Sequence, residues 1–118
     1  MTKNEAIIDV LANFAYIDNE IAKEEAQKIK EIAKKMNIND VNIDKMIEDV
    51  EKEALDNELT RYSKAIALLT ESLTEKEKID FLKKAAEVIT ADGKIMNSEF
   101  IKLELLAKNW GIDLKKAL

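Results

Sequence analysis

Two pairs of carboxylates stand at the same spacing in two parts of this sequence. Asp18 and Glu25 are seven residues apart, and Asp92 and Glu99 repeat this spacing 74 residues later. Clustered carboxylate oxygens are the ligands that a hard cation such as Ca²⁺ or Mg²⁺ prefers, with water completing its coordination shell. These four acids are therefore the candidate metal-binding residues of the chain.

Residues 92–99 also resemble the second half of an EF-hand calcium loop, with a turn glycine, an isoleucine and a final glutamate. A working EF-hand loop needs further oxygen ligands four and two residues before its central aspartate. Those positions hold Val88 and Thr90, and the corresponding positions of the first pair hold Phe14 and Tyr16. The pattern therefore excludes EF-hand binding.

A purely structural role for the same acids stays open. Each aspartate is placed to accept hydrogen bonds from free amides of the turn that follows it. Each glutamate stands near the third position of the next helix, where the positive end of the helix dipole favours an acid and its side chain can reach back to cap the chain. The two explanations differ in whether an ion is bound.

Other chemistry is excluded or disfavoured by the residue inventory. The chain has no histidine and no cysteine, which excludes zinc or copper sites built on imidazole or thiolate. The same absence removes the usual general bases and nucleophile pairs. Ser63 and Lys64 are adjacent, but they lie on an apolar helical pattern, and there is no glycine-rich phosphate loop. We therefore predict that the protein is not an enzyme.

The acidic pairs belong to a longer internal repeat. The segment from Asp18 to Ile38 aligns with the segment from Asp92 to Ile112, and seven of the 21 aligned positions are identical. Self-similarity over this length indicates that one structural unit occurs twice. The repeat predicts two helical hairpins that carry their acidic loops at equivalent places.

Both glycines of the chain are replaced by asparagine in the first copy, Gly93 by Asn19 and Gly111 by Asn37. Glycine and asparagine are the residues that best tolerate positive φ. Gly93 and Asn19 therefore predict a tight turn after each aspartate. Gly111 and Asn37 predict a left-handed cap at the end of a helix.

Apolar residues recur at helical intervals along the whole chain, which contains no proline. This spacing predicts a single all-α domain over residues 1–118, a bundle of six to seven helices. Asn39 or Asp40 is the expected cap of the third helix, and the fourth helix, as the most apolar, is expected to be central. The predicted helices cover residues of about 3–17, 23–36, 40–55, 58–72, 75–91 and 98–110, followed by a short tail.

The net charge of −5 is concentrated in one stretch. Residues 39–60 hold eight acids and two bases, whereas the rest of the chain holds 16 acids and 17 bases. A nucleic-acid partner is disfavoured, because phosphate binding needs a concentrated basic face. The acidic stretch is either a solvated face or a docking surface for a basic protein partner.

The chain shows no membrane or export signal. No apolar run approaches the roughly 20 residues of a membrane span, and the N-terminus lacks the apolar core and cleavage site of a signal peptide. The lack of cysteine suits a reducing compartment. We expect a cytoplasmic protein without membrane contact, and the sequence does not indicate its oligomeric state.

The doubled pattern Asp-(Gly/Asn)-x-Ile-x-x-x-Glu, each time followed by an apolar helix that ends near Gly-Ile or Asn-Ile, resembles the TerB family of tellurite resistance proteins. It is similar to the N-terminal domain of the membrane-anchored co-chaperone DjlA. The resemblance covers nearly the whole chain. Ala22 and Met96 depart from it, because serine or threonine is common at these helix starts in the family.

The resemblance implies an all-helical bundle with pseudo-twofold symmetry and an acidic cluster, which on this chain is Asp18, Glu25, Asp92 and Glu99. It also implies a link to tellurite and other stress responses, with a metal-binding or partner-docking role and no enzymatic activity. Our first hypothesis is therefore a non-enzymatic module that binds a hard metal ion or a partner through its acidic loops. The alternative is a docking scaffold that uses the acidic third helix, with purely structural loops. An enzyme that works on a carboxylate-bound metal is the third hypothesis.

Overall fold

The computed structural model describes residues 1–17, 20–55, 60–91, 93 and 97–118, without the side chains of residues 17, 20, 54 and 55. The regular secondary structure of its described part is helical apart from one very short hairpin, so the predicted all-α bundle is confirmed. The helices are α1 (Lys3–Ala15), α2 (Lys23–Lys35), α3 (Ile43–Leu55), α4 (Thr60–Ser72), α5 (Glu75–Ile89), α6 (Asn97–Asn109) and α7 (Leu114–Ala117).

Helix α1 is the centre of the bundle. Nine of its 13 residues are buried, and it packs against α2, α3, α4, α5 and α6. Helix α4 makes its main contact with α1 and buries Ala65 and Leu69. The expectation that α4 is central was therefore wrong, because burial depends on how many faces of a helix meet neighbours and not only on its apolar content. None of the described helices combines the length and apolar character that crossing a bilayer requires.

Side chains cap the N-termini of several helices. Thr2 and Glu5 form a reciprocal capping box at the start of α1, and Thr74 and Glu77 form another at the start of α5. Helix α3 differs from its prediction, since it begins at Ile43 rather than at residue 40. The side chain of Asn42, and not that of Asn39 or Asp40, accepts a hydrogen bond from the Lys45 amide at 3.2 Å.

Two further helix boundaries differ from their predictions by two residues. Helix α1 ends at Ala15 because Tyr16 and Ile17, an aromatic and a β-branched residue, take the extended conformation that such residues favour. They form strand β1 (Tyr16–Ile17), which pairs antiparallel with β2 (Glu20–Ile21). Helix α5 ends at Ile89, two residues early, with Thr90 as its C-cap. The predicted start of α4 at residue 58 lies outside the described residues.

Helices α2 and α6 end in the same way. Asn37 and Gly111 follow them with φ values of 58° and 71°, so both predicted left-handed caps are confirmed. The amide of Ile38 donates to the carbonyl of Ala33, and the amide of Ile112 donates to that of Ala107, each at 2.9 Å. These are the hydrogen bonds of a Schellman motif. Both helices have 13 residues and begin 74 residues apart, while the duplication of a whole hairpin stays a prediction.

Candidate cation site

Two of the four predicted ligands lie within the described part of the chain. Glu25 is the third residue of α2 and is 4% exposed, and Glu99 is the third residue of α6 and is 2% exposed. Asp18 and Asp92 lie outside the described residues. The two glutamates therefore occupy equivalent places, each buried in the first turn of its helix.

A local feature offsets part of the cost of burying both glutamates. At the third position of a helix, a carboxylate lies beside the first amides, which have no partner within the helix, and beside the positive end of the dipole. In α2 the N-cap is Ala22, which provides no side-chain hydrogen bond to these amides. This placement suits a helix-start role and leaves the carboxylate oxygens at the loop end of the bundle.

The four helix ends that flank the two acidic loops lie at one end of the bundle. Helix α2 packs on α5, and α6 packs on α1. The Nζ atom of Lys102, in the second turn of α6, donates to the carbonyl of Asn13 near the end of α1 at 3.3 Å. A polar cleft of about 490 Å³ separates the start of α2 from the end of α5, and it is lined by Glu24, Gln27, Lys28, Glu31, Glu87, Thr90 and Ala91. The connections after α1 and after α5 therefore leave from the same end.

Lys102 affects the electrostatics of this end. Loss of water around its ammonium lowers the pKa of Lys102, and the neighbouring Glu99 carboxylate acts in the opposite direction. An ammonium close to Glu99 neutralises part of the charge that a metal ion would otherwise meet. Lys102 would therefore compete with a cation for this carboxylate.

The described residues contain no group of three or more acidic side chains arranged to hold a metal ion. Two of the four predicted ligands are not among those residues, so this result covers only half of the predicted set. The oxygens of Glu25 and Glu99 are hard ligands, as Ca²⁺ and Mg²⁺ require. They are the two described members of the predicted site, one from each helix start.

Glu51 belongs to the surroundings of the first acidic loop and was not predicted. Its Oε2 accepts a hydrogen bond from the backbone amide of Ile21 in β2 at 3.1 Å, across 30 residues of sequence. Glu51 thus brings an additional carboxylate from α3 to this loop. Its position within a run of acids gave no signal that it faces inward.

A second charged cluster lies between α1, α3 and α4. Asp9 is fully buried, and its Oδ2 lies 3.0 Å from the Nε of Arg61. Arg61 also approaches Asp49 and Glu53, with one guanidinium nitrogen 3.5 Å from a carboxylate oxygen of each. Burial raises the pKa of Asp9 to about 6, although Arg61 opposes the change. Burial, and secondly the charge of Asp9, raise the pKa of Tyr62 to about 12.

The family comparison supports the assignment that the acidic pattern suggested. The family model described as "Tellurite resistance protein TerB" matches residues 4–116. Searches of the curated proteins and of the solved structures found no match. The family match spans nearly the whole chain, including both acidic pairs and all but the first residue of α1 and the last residue of α7 among the described helices. This chain therefore belongs to the TerB family.

Proposed function

We propose that this tellurite-resistance-related helical module binds a hard divalent cation, Ca²⁺ or Mg²⁺, through Asp18, Glu25, Asp92 and Glu99, and serves a stress response. The observation that carries the proposal is the matched burial of Glu25 and Glu99 at one end of the bundle. The module works by binding rather than by catalysis, since the chain has neither histidine nor cysteine.

Burial gives the carboxylates a reason to bind a cation. A carboxylate withdrawn from water loses solvation that only opposite charge and hydrogen bonds can replace. The first turn of a helix replaces part of it, and at most about half an elementary charge is available there. A divalent ion supplies much more positive charge, and both Ca²⁺ and Mg²⁺ bind carboxylate oxygens. Two copies of one hairpin, as the sequence repeat predicts, would present the four acids to a shared ion or to two neighbouring ions.

Isothermal titration calorimetry tests this proposal. The parent protein is titrated with Ca²⁺ and with Mg²⁺, beside the double variants Asp18→Asn/Glu25→Gln and Asp92→Asn/Glu99→Gln. We expect binding heat in the parent and its loss in both variants if one ion is shared, or a halved stoichiometry if each loop holds its own. Glu48→Gln is the control, because it removes one exposed acid of α3 and should leave binding unchanged. A parent with neither heat nor thermal shift with either ion would overturn the proposal.

The acidic helix α3 carries the second candidate function, docking of a basic protein. Its outer surface supports this candidate, since Glu48 is exposed and the Asp44 side chain is 77% exposed although it also pairs with Lys30. The other α3 acids are used within the chain, with Asp49 and Glu53 near Arg61 and Glu51 on the amide of Ile21.

A charge reversal that includes Asp49 or Glu51 would therefore disturb the fold as well as a docking surface. Glu48→Lys is the cleaner variant. Docking by α3 predicts that this change weakens salt-dependent binding of a lysine-rich peptide, while Asp92→Asn/Glu99→Gln leaves the binding intact. Equal peptide affinity in the parent and in Glu48→Lys would remove this candidate.

A further inference from the structure

Helices α6 and α7 expose an apolar surface. In the described part of the chain, the large apolar side chains with the highest exposure are Leu105 at 62%, Leu118 at 56%, Ile101 at 55% and Met1 at 48%. Three of these four line a groove of about 650 Å³ between α6 and α7. Isolated exposed apolar residues need no explanation, but their clustering on one face marks an interaction surface.

The matched helix of the first copy shows that the fold does not need this surface. Ile101 and Leu105 align with Gln27 and Glu31 of α2, which are 74 residues earlier and are likewise exposed. Both helices bury their apolar residues on the opposite side, including Ile29 in α2 and Leu103 in α6. The outer face is therefore polar in α2 and apolar in α6, although the two helices match in the sequence repeat.

The charges around the groove indicate what covers it. Its rim carries two acids, Glu104 and Asp113, and two bases, Lys108 and Lys115, whereas the chain as a whole has a net charge of −5. A basic partner would be attracted more strongly to the acidic stretch of α3 than to a neutral rim. Two copies of this acidic chain repel each other over most of their surface, but not through this face.

We propose that a second copy of this chain covers the groove, with α6 antiparallel to α6 of the other copy about a twofold axis. Such an isologous contact joins one patch to itself. Glu104 and Lys108 are one helical turn apart on the groove rim, so an antiparallel approach places each beside the oppositely charged residue of the second copy. Ile101 and Leu105 of both copies then leave water together.

The size of the surface suits a reversible dimer. A standard protein–protein interface buries about 800 Å² of accessible surface on each partner. The accessible surface of this chain is 7116 Å². Helix α6 has 13 residues and is therefore about 20 Å long. With α7 beside it, this face supplies several hundred Å², roughly the lower end of specific interfaces. We therefore expect an equilibrium between monomer and dimer that depends on protein concentration.

Sedimentation velocity and light scattering over a range of concentrations test the proposal. The parent should approach twice the monomer mass of 13.4 kDa as its concentration rises. Ile101→Gln/Leu105→Glu installs the residues that α2 has at the matched positions, and these sites are exposed. The double variant should keep its helical circular dichroism and raise the dimer dissociation constant more than about a hundredfold, because four apolar side chains leave the contact.

A charge exchange tests the antiparallel pairing itself. Glu104→Lys and Lys108→Glu should each weaken the dimer, since like charges then face each other. The double exchange Glu104→Lys/Lys108→Glu keeps the net charge and should restore dimerisation. A parent that stays monomeric at the highest concentration overturns the proposal and leaves the groove to a different protein. A dimer that Ile101→Gln/Leu105→Glu does not weaken, or one that the double exchange fails to restore, also overturns it.

Discussion

The carboxylate of Asp9 has no exposed surface, and its Oδ2 lies 3.0 Å from the Nε of Arg61. The side-chain Nδ2 of Asn13 donates to Asp9 Oδ1 at 2.9 Å. Despite these partners, burial raises the pKa of Asp9 from its usual 3.8 to about 6. Arg61 cannot offset the loss of water because Asp49 and Glu53 share its guanidinium. Desolvation therefore outweighs the ion pair at this position.

The raised pKa of Asp9 predicts a pH-dependent stability. The folded state holds the Asp9 proton more tightly than the unfolded state, so this contribution is complete below pH 3.8 and is lost as the pH rises through about 6. The difference between the two pKa values corresponds to about 3 kcal/mol. The Asp9→Asn variant has no ionisable group at this position, so its free energy of unfolding should lack this pH dependence.

Urea denaturation of both proteins between pH 4 and pH 8 measures the effect. The free energy of unfolding of the parent, relative to Asp9→Asn, should fall by up to about 3 kcal/mol across this range. Comparison with the variant cancels the titration of the other acids. Parallel pH profiles for the two proteins would show that Asp9 has a normal pKa.

Removal of Arg61 should be costly, and the cost should depend on Asp9. Arg61→Met leaves Asp9, Asp49 and Glu53 without their shared cation. Because the pKa of Asp9 is about 6, uptake of a proton limits the cost of its stranded charge to about 1.4 kcal/mol at pH 7. In the Asp9→Asn background no buried charge is left behind, so the same change should cost much less. A double-mutant cycle by denaturation at pH 7 measures this coupling. Additive effects of the two substitutions would contradict it.

Local patterns explain what could be predicted from the sequence. Helices and the caps at Asn37 and Gly111 depend on residues that are neighbours along the chain, and these predictions were accurate to within a few residues. Asp9 and Arg61 are 52 residues apart, and Glu51 and Ile21 are 30 residues apart. Contacts of this kind are created only when α4 packs on α1 and α3 packs on β2, so no local spacing signals them.

In the candidate site too, the sequence predicted the local pattern but not what packing does to it. The repeat identified Glu25 and Glu99 as a pair, because both stand seven residues after an aspartate. Their deep burial depends on the packing of α2 and of α6 against α1, whereas Lys102 lies close to Glu99 because it follows it by three residues on the same helix. Lys102 aligns with Lys28 in the repeat, but the burial that lowers the pKa of Lys102 could not be inferred from that identity.

The two left-handed caps allow a matched test of backbone strain. A Cβ atom added at Gly111 would meet no atom within 4 Å, so the cost of Gly111→Ala arises from its φ of 71° alone. We expect a loss of about 1 kcal/mol in the free energy of unfolding, as for other residues with a side chain forced into this region. Asn37 tolerates its φ of 58°, and Asn37→Gly should change stability by no more than a few tenths of a kcal/mol. A neutral Gly111→Ala in chemical denaturation would contradict this account.

Lys102 gives the most specific test of the proposed cation site. Its ammonium interacts with the Glu99 carboxylate, so a cation that binds Glu99 must overcome its repulsion. Lys102→Met keeps the aliphatic part of the side chain and removes the charge. If the electrostatic cost is about 1 kcal/mol at a separation typical of such pairs, the affinity for Ca²⁺ or Mg²⁺ should rise about fivefold in calorimetry. Lys30→Met is the control. Lys30 pairs with Asp44, so this substitution should leave cation affinity unchanged. Unchanged or weaker binding in Lys102→Met, with stability preserved, would show that Glu99 is not a ligand.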